Sequence, residues 1–92
     1  MNEPAFTLEA SFDDKTGQPV AAYLRVRAGE VAKTEEVQEG YAYADYDADG
    51  LLLGIELLGP CTVEVLDSIT EDEPEPVRRF LRGGAPRELV VQ

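Results

Sequence analysis

The sequence predicts an α+β domain, a small antiparallel β-meander of four to five strands with one or two short C-terminal helices packed on one face. Three observations predict it. Apolar and polar residues alternate through most of the first 58 positions, glycine-bearing turns punctuate that alternation, and apolar spacing moves toward a helical period only after Pro60. The chain, residues 1–92, is read as a single domain with its sheet over about residues 6–58 and a helical C-terminal segment over about 62–84.

Phe6, Leu8, Ala10 and Phe12 alternate with Thr7, Glu9, Ser11 and Asp13, the pattern of a half-buried strand, and Asp14-Lys15-Thr16-Gly17 supplies the turn. Ala22, Leu24 and Val26 then alternate with Tyr23, Arg25 and Arg27, after which Ala28-Gly29-Glu30 reverses the chain. Val31 to Gln38 has no strongly apolar side, which suits a charged edge strand. Tyr41 to Asp47 and Leu51 to Leu58 form a hairpin around Asp47-Ala48-Asp49-Gly50, with Gly50 at positive φ in a G1 bulge. That register sets Tyr43 against Ile55, Tyr46 against Leu52 and Glu56 opposite Ala42. Leu51, Leu53, Ile55 and Leu57 would line one face, and Leu52 and Leu58 the other. A strand apolar on both sides asks for cover on both. Gly54, inside it, would tolerate alanine unless its face is crowded. Past Gly59-Pro60, Val63, Leu66 and Ile69 recur at helical spacing, although Val63 and Val65 also alternate, so residues 62–70 read as helix or strand with a short helix preferred. The second helix is clearer: acids and Pro74-Glu75-Pro76 at its start, Val77, Phe80 and Leu81 as its apolar stripe, arginines toward its end and Gly83-Gly84 as its stop.

Composition excludes several functions. There is no histidine, so the usual general base and the commonest transition-metal ligand are absent; the one cysteine, Cys61, makes neither an internal disulfide nor a thiolate cage. Met1-Asn2-Glu3-Pro4 carries no basic leader and no apolar run spans a bilayer, so a cytoplasmic protein with no membrane partner is expected. Nineteen acids against eight bases give a net charge of −11, which disfavours nucleic acid as a partner. The charge is segregated. Residues 1–76 hold 18 acids and 4 bases, whereas Arg78, Arg79, Arg82 and Arg87 oppose only Glu88 in the tail. The tail is read as neutralising the acidic body, in the same chain or a neighbouring one.

The sharpest motif is a calcium loop. Asp45, Asp47, Asp49, Gly50 and Glu56 satisfy D-x-D-x-D-G-x5-E, and their carboxylates are the candidate metal ligands. Strand-like flanks argue for a hairpin instead, with Glu56 sent to the face opposite Asp45 and Asp47. Asp13-Asp14, Glu35-Glu36 and Asp45-Asp47 are carboxylate pairs of the kind that acid/base chemistry uses, yet pairs arise by abundance in so acidic a chain. No catalytic residue and no cofactor are assigned. Tyr23, Tyr41, Tyr43 and Tyr46 are conspicuous because tyrosine on an exposed sheet face combines area with a polar handle.

Ala22-Tyr23-Leu24-Arg25-Val26, Val31-Ala32-Lys33-Thr34-Glu35-Glu36-Val37, Asp45-Tyr46-Asp47-Ala48-Asp49-Gly50 and Leu53-Gly54-Ile55-Glu56-Leu57-Leu58 together resemble the domain-of-unknown-function 2283 family of small prokaryotic proteins. The resemblance implies a compact antiparallel sheet with a C-terminal helical piece, and no activity. Folding 92 residues buries about 9,400 Å². That contributes on the order of 140 kcal/mol, close to the entropy cost, so self-association is expected. The leading functional expectation is a non-enzymatic, self-associating binding module, a homodimer or higher homo-oligomer. An acidic, antitoxin-like partner or decoy for a basic protein is the alternative, and a carboxylate hydrolase or a calcium-binding protein comes behind it.

Overall fold

The most apolar strand takes the centre of the sheet and the most charged one its edge. The computed structural model describes residues 4–91; Met1 to Glu3, on which the expectation of no basic leader falls, and Gln92 lie outside the described residues. The strands are β1 (Pro4–Phe12), β2 (Pro19–Arg27), β3 (Lys33–Gln38), β4 (Ala42–Tyr46) and β5 (Leu52–Leu57), in the order β1-β2-β5-β4-β3, with all neighbours antiparallel. A β1–β2 hairpin and a β3–β4–β5 meander thus join where β5 pairs with β2. The turn at Ala28-Gly29-Glu30 reverses the chain without laying β3 beside β2. Instead, β3, with Lys33, Glu35 and Glu36, goes to the far edge, where its charges stay in water.

One side of the sheet is covered. Ala22, Leu24 and Val26 of β2, Ala42 and Ala44 of β4, and Leu52, Ile55 and Leu57 of β5 form a buried cluster. Leu66 of α1 (Val63–Ile69), Val77 and Leu81 of α2 (Glu75–Gly83), and Leu89 complete it. Residues 63–69 become a helix because Thr62 caps it, its hydroxyl accepting from the Val65 amide at 3.2 Å. The helix presents Leu66 to the sheet. Just before it, β6 (Cys61–Thr62) pairs in parallel with β7 (Val90–Val91), which follows a 3-10 turn at Arg87–Leu89; neither short strand has a sequence pattern of its own. Gly84 stops α2 in a right-handed conformation, φ −87°, and not as a left-handed cap. The cationic tail is partly neutralised within the chain: Arg82 lies 3.2 Å from Asp67, and Arg79 lies 3.7 Å from Glu75.

The β4–β5 turn takes its expected form. Asp47 N–H donates to the Leu51 carbonyl, Gly50 N–H donates to the Asp47 carbonyl, both at 3.0 Å, and Gly50 has φ +85°. The register beyond the turn is different. Tyr46 does oppose Leu52, but an irregularity between Asp45 and Tyr46 leaves Leu53 as an extra residue, so Tyr43 opposes Glu56 and Ala42 opposes Leu57. A one-residue slip exchanges faces. Leu52 therefore joins the main core, Leu53 is buried beneath the crossing β2–β3 loop beside Gly29, and Leu51 and Leu58 are exposed. The far face of β5 carries Gly54 and Glu56 and not a second row of leucines, so the strand offers no apolar surface there for self-association.

Arg27 follows the outward alternation of β2 yet is buried. Its guanidinium donates to the Leu52 carbonyl at 2.8 Å and to Glu73 at 2.6 Å, tying the end of β2 to the segment between the helices. No helix among the described residues is long and apolar enough to cross a membrane.

Candidate functional site

The sheet side away from the helices is polar and uncovered, and the strand order sets its side chains in rows. Glu9 of β1 opposes Tyr23 of β2, Tyr23 opposes Glu56 of β5, Glu56 opposes Tyr43 of β4, and Tyr43 opposes Glu36 of β3. Carboxylates and phenol rings therefore alternate across all five strands, over roughly 19 Å at the usual strand spacing of about 4.8 Å. Thr7, Arg25, Gly54, Asp45 and Thr34 form the adjoining row.

Hydrogen bonds hold the rings in place. Tyr23 donates to Asp45 Oδ2 at 2.9 Å, and Thr34 donates to Asp45 Oδ1 at 2.6 Å. Tyr43 donates to Glu36 Oε2 at 3.0 Å, and the same oxygen accepts from the Gly40 amide at 2.9 Å. Partial burial and then the bond to Asp45 push the Tyr23 hydroxyl up to about 12, so it stays neutral and remains a donor. Its carboxylate partner raises Tyr43 in the same direction. Gly54 makes room for Tyr23: a Cβ at position 54 would stand 2.5 Å from the phenolic oxygen and 2.8 Å from the Leu24 carbonyl oxygen. Its face is crowded, the case in which alanine was not expected to be tolerated. The Arg25 guanidinium lies 5.4 Å from the centre of the Tyr23 ring, a cation held by this face within the chain itself. Glu9 and Glu56 are exposed. Beside Tyr23, the small residues Ser11, Ala21 and Ala22 leave a shallow depression of about 270 Å³, bordered by Glu9 and Glu56.

The calcium-loop residues are distributed differently from the sequence expectation. Asp45 and Glu56 share the open face, where the expected register had divided them, because Glu56 opposes Tyr43 and not Ala42. Both oxygens of Asp45 are engaged by hydroxyls. Asp47 Oδ1 accepts from the amides of Asp49 and Leu51, each at 2.9 Å, so it serves the turn, and Asp49 is exposed. Among the described residues, no three Asp, Glu, His or Cys side chains stand together as metal ligands. Cys61 is fully buried, which pushes its thiol up and leaves it little thiolate. A second depression of about 450 Å³ lies at the far end of β3 and β4, lined by Lys33, Glu35, Tyr46 and Asp47 among others.

Of the four tyrosines singled out in the sequence, Tyr23 and Tyr43 belong to the open face. Tyr46 packs against the core, and Tyr41 lies over Gly59 at the strand end. Glu9 and Glu36 complete the row without any local signal, because their place in it depends on which strands are neighbours.

No curated protein and no solved structure matches the chain. A family model described as "Protein of unknown function (DUF2283)" matches residues 21–59, the stretch from β2 to the end of β5 that carries every member of the row except Glu9. Over residues 21–59, the chain is similar to the DUF2283 family of proteins of unknown function.

Proposed function

We propose that this chain is a non-enzymatic binding module whose open sheet face receives a cationic segment of a basic protein. The observation that carries the reading is the cross-strand row Glu9, Tyr23, Glu56, Tyr43, Glu36. Exposed carboxylates attract lysine and arginine, and the rings between them offer cation–π contacts of about 0.5–2 kcal/mol each. The stacking of Arg25 on Tyr23 supports guanidinium as the preferred group. The net charge of −11 would speed encounter with a basic partner, as in an antitoxin-like role. Against catalysis weighs the engagement of Asp45 and Glu36 by neighbouring hydroxyls, which holds them as structural acceptors. The cytoplasm is the compartment this reading takes, on the support of a single buried cysteine.

Calorimetric titration with an arginine- and lysine-rich peptide at about 0.15 M salt tests it, since diffuse attraction is then largely screened. Saturable binding is expected, weakened about tenfold or more, or 1.4 kcal/mol, by Tyr43→Ala or Glu56→Gln. Asp49→Asn should leave it nearly unchanged. Equal weakening by all three substitutions, or no saturable binding, would reject the proposal.

A further inference from the structure

We infer that the chain forms a two-fold dimer through β1, the occupant of that edge being β1 of a second copy. Strand β1 is the outer strand on its side of the sheet, and its nine residues contain a single charged side chain, Glu9. The opposite edge, β3, carries Lys33, Glu35 and Glu36 in six residues, the usual protection against stray pairing. β1 lacks that protection.

The helix-covered side of this region is apolar but reaches past the helices. Phe6 is 39 % exposed, Leu8 44 %, Phe12 59 % and Val20 47 %. Alternation along β1 from Ala10, which packs against the core, puts Leu8 and Phe12 on that side, Phe6 reaches it by stacking on Phe80 of α2, ring centres 4.8 Å apart, and Val20 is the extra β2 residue at the irregularity beside Phe12.

A second copy answers these features better than a foreign chain. Self-association of a molecule with net charge −11 is opposed by like charge, and it is opposed least where acids are sparse. β1, with Glu9 as its single acid, is such a place. Antiparallel pairing of β1 with its own copy has its two-fold axis normal to the sheet. The apolar strips of both copies therefore meet on the helix side, and both open faces turn to the opposite side. Taking about 200 Å² for a whole phenylalanine, Phe6 and Phe12 of two copies supply roughly 400 Å². With Leu8 and the edge backbone, the total approaches about 1,000 Å², the lower bound for a specific interface. A reversible, concentration-dependent dimer follows. This inference does not rest on the cationic-partner reading, and its test needs no ligand.

Sedimentation velocity over micromolar to millimolar concentrations at about 0.15 M salt, with the protein alone, decides it. Growth from 10.1 kDa to twice that mass is expected. Leu8→Lys and Phe12→Lys should each weaken the dimer about tenfold or more, while Val31→Lys, an exposed site just before β3, should not. Circular dichroism and urea unfolding at low concentration check that each variant is folded, and Phe12→Lys, at the more exposed site, serves if Leu8→Lys is not. A monomer at every concentration would overturn the inference and leave the strip for a foreign chain. So would a dimer indifferent to both β1 substitutions, or one weakened by Val31→Lys.

Discussion

Replacing Gly54 by alanine should cost about 3 kcal/mol, although the residue lies in a strand where alanine is ordinarily the better choice. An added Cβ would meet the Tyr23 hydroxyl at 2.5 Å, its ring carbon at 2.6 Å and the Leu24 carbonyl oxygen at 2.8 Å. The ring can swing away, but the carbonyl belongs to the paired β2 strand. Overpacking of that kind costs roughly 1–3 kcal/mol. Displacing Tyr23 also gives up its hydrogen bond to the Asp45 carboxylate, worth about 1.5–3 kcal/mol and partly recovered from water at a half-exposed site. Against this, alanine in place of glycine in a strand returns about 0.5–1 kcal/mol. For a domain of this size the net cost is a fall of roughly 15 °C in Tm. Gly50→Ala is the comparison: φ is +85° but no atom lies within 4 Å of the added Cβ. Its cost should be only about 1–2 kcal/mol. Urea unfolding of both variants, and of Gly54→Ala in a Tyr23→Ala background, provides a double-mutant cycle. Removing the ring should reduce the cost of Gly54→Ala by at least about 1 kcal/mol. A Gly54→Ala variant as stable as the parent, or one whose cost is the same without the ring, would refute the packing argument.

Three further outcomes follow from the geometry. Arg27→Ala leaves the Leu52 carbonyl and the largely buried Glu73 without their partner and should cost about 2–3 kcal/mol by urea unfolding, below the full penalty for a dry ion pair. Because the folded Tyr23 hydroxyl titrates near 12 and an unfolded tyrosine near 10, its contribution to stability is complete below pH 10 and lost as pH rises from 10 through 12; Tyr23→Phe should flatten the alkaline fall in Tm over that window. Calcium should produce no saturable one-to-one heat, since Asp45 and Asp47 are committed to hydroxyls and turn amides; a micromolar isotherm abolished by Glu56→Gln would refute that expectation.

Much of the fold was legible because it rests on local pattern. Alternation in Ala22, Leu24 and Val26 marks the buried face of β2, Asp47 and Gly50 mark the turn, and Val77 and Leu81 mark the buried stripe of α2. What was not legible depends on contacts distant in sequence. The insertion of β5 between β2 and β4, the parallel pairing of Cys61 with Val90 and the burial of Arg27 have no local signature. The extra residue at Leu53 was the costliest omission, because it exchanged the faces of everything beyond it and moved Glu56 beside Tyr43. The tyrosines could be suspected one by one, but the Glu–Tyr row exists only once the strand order is known.

In the proposed role the open face, and not acidity in general, binds a cationic partner. Two-dimensional ¹H–¹⁵N spectra recorded during titration with an arginine- and lysine-rich peptide at about 0.15 M salt address it directly. The largest shifts should fall on Glu9, Tyr23, Glu36, Tyr43 and Glu56 and trace one row across five strands. Shifts spread evenly over the acidic residues, or centred on Asp47, Asp49 and the acids between the helices, would contradict it.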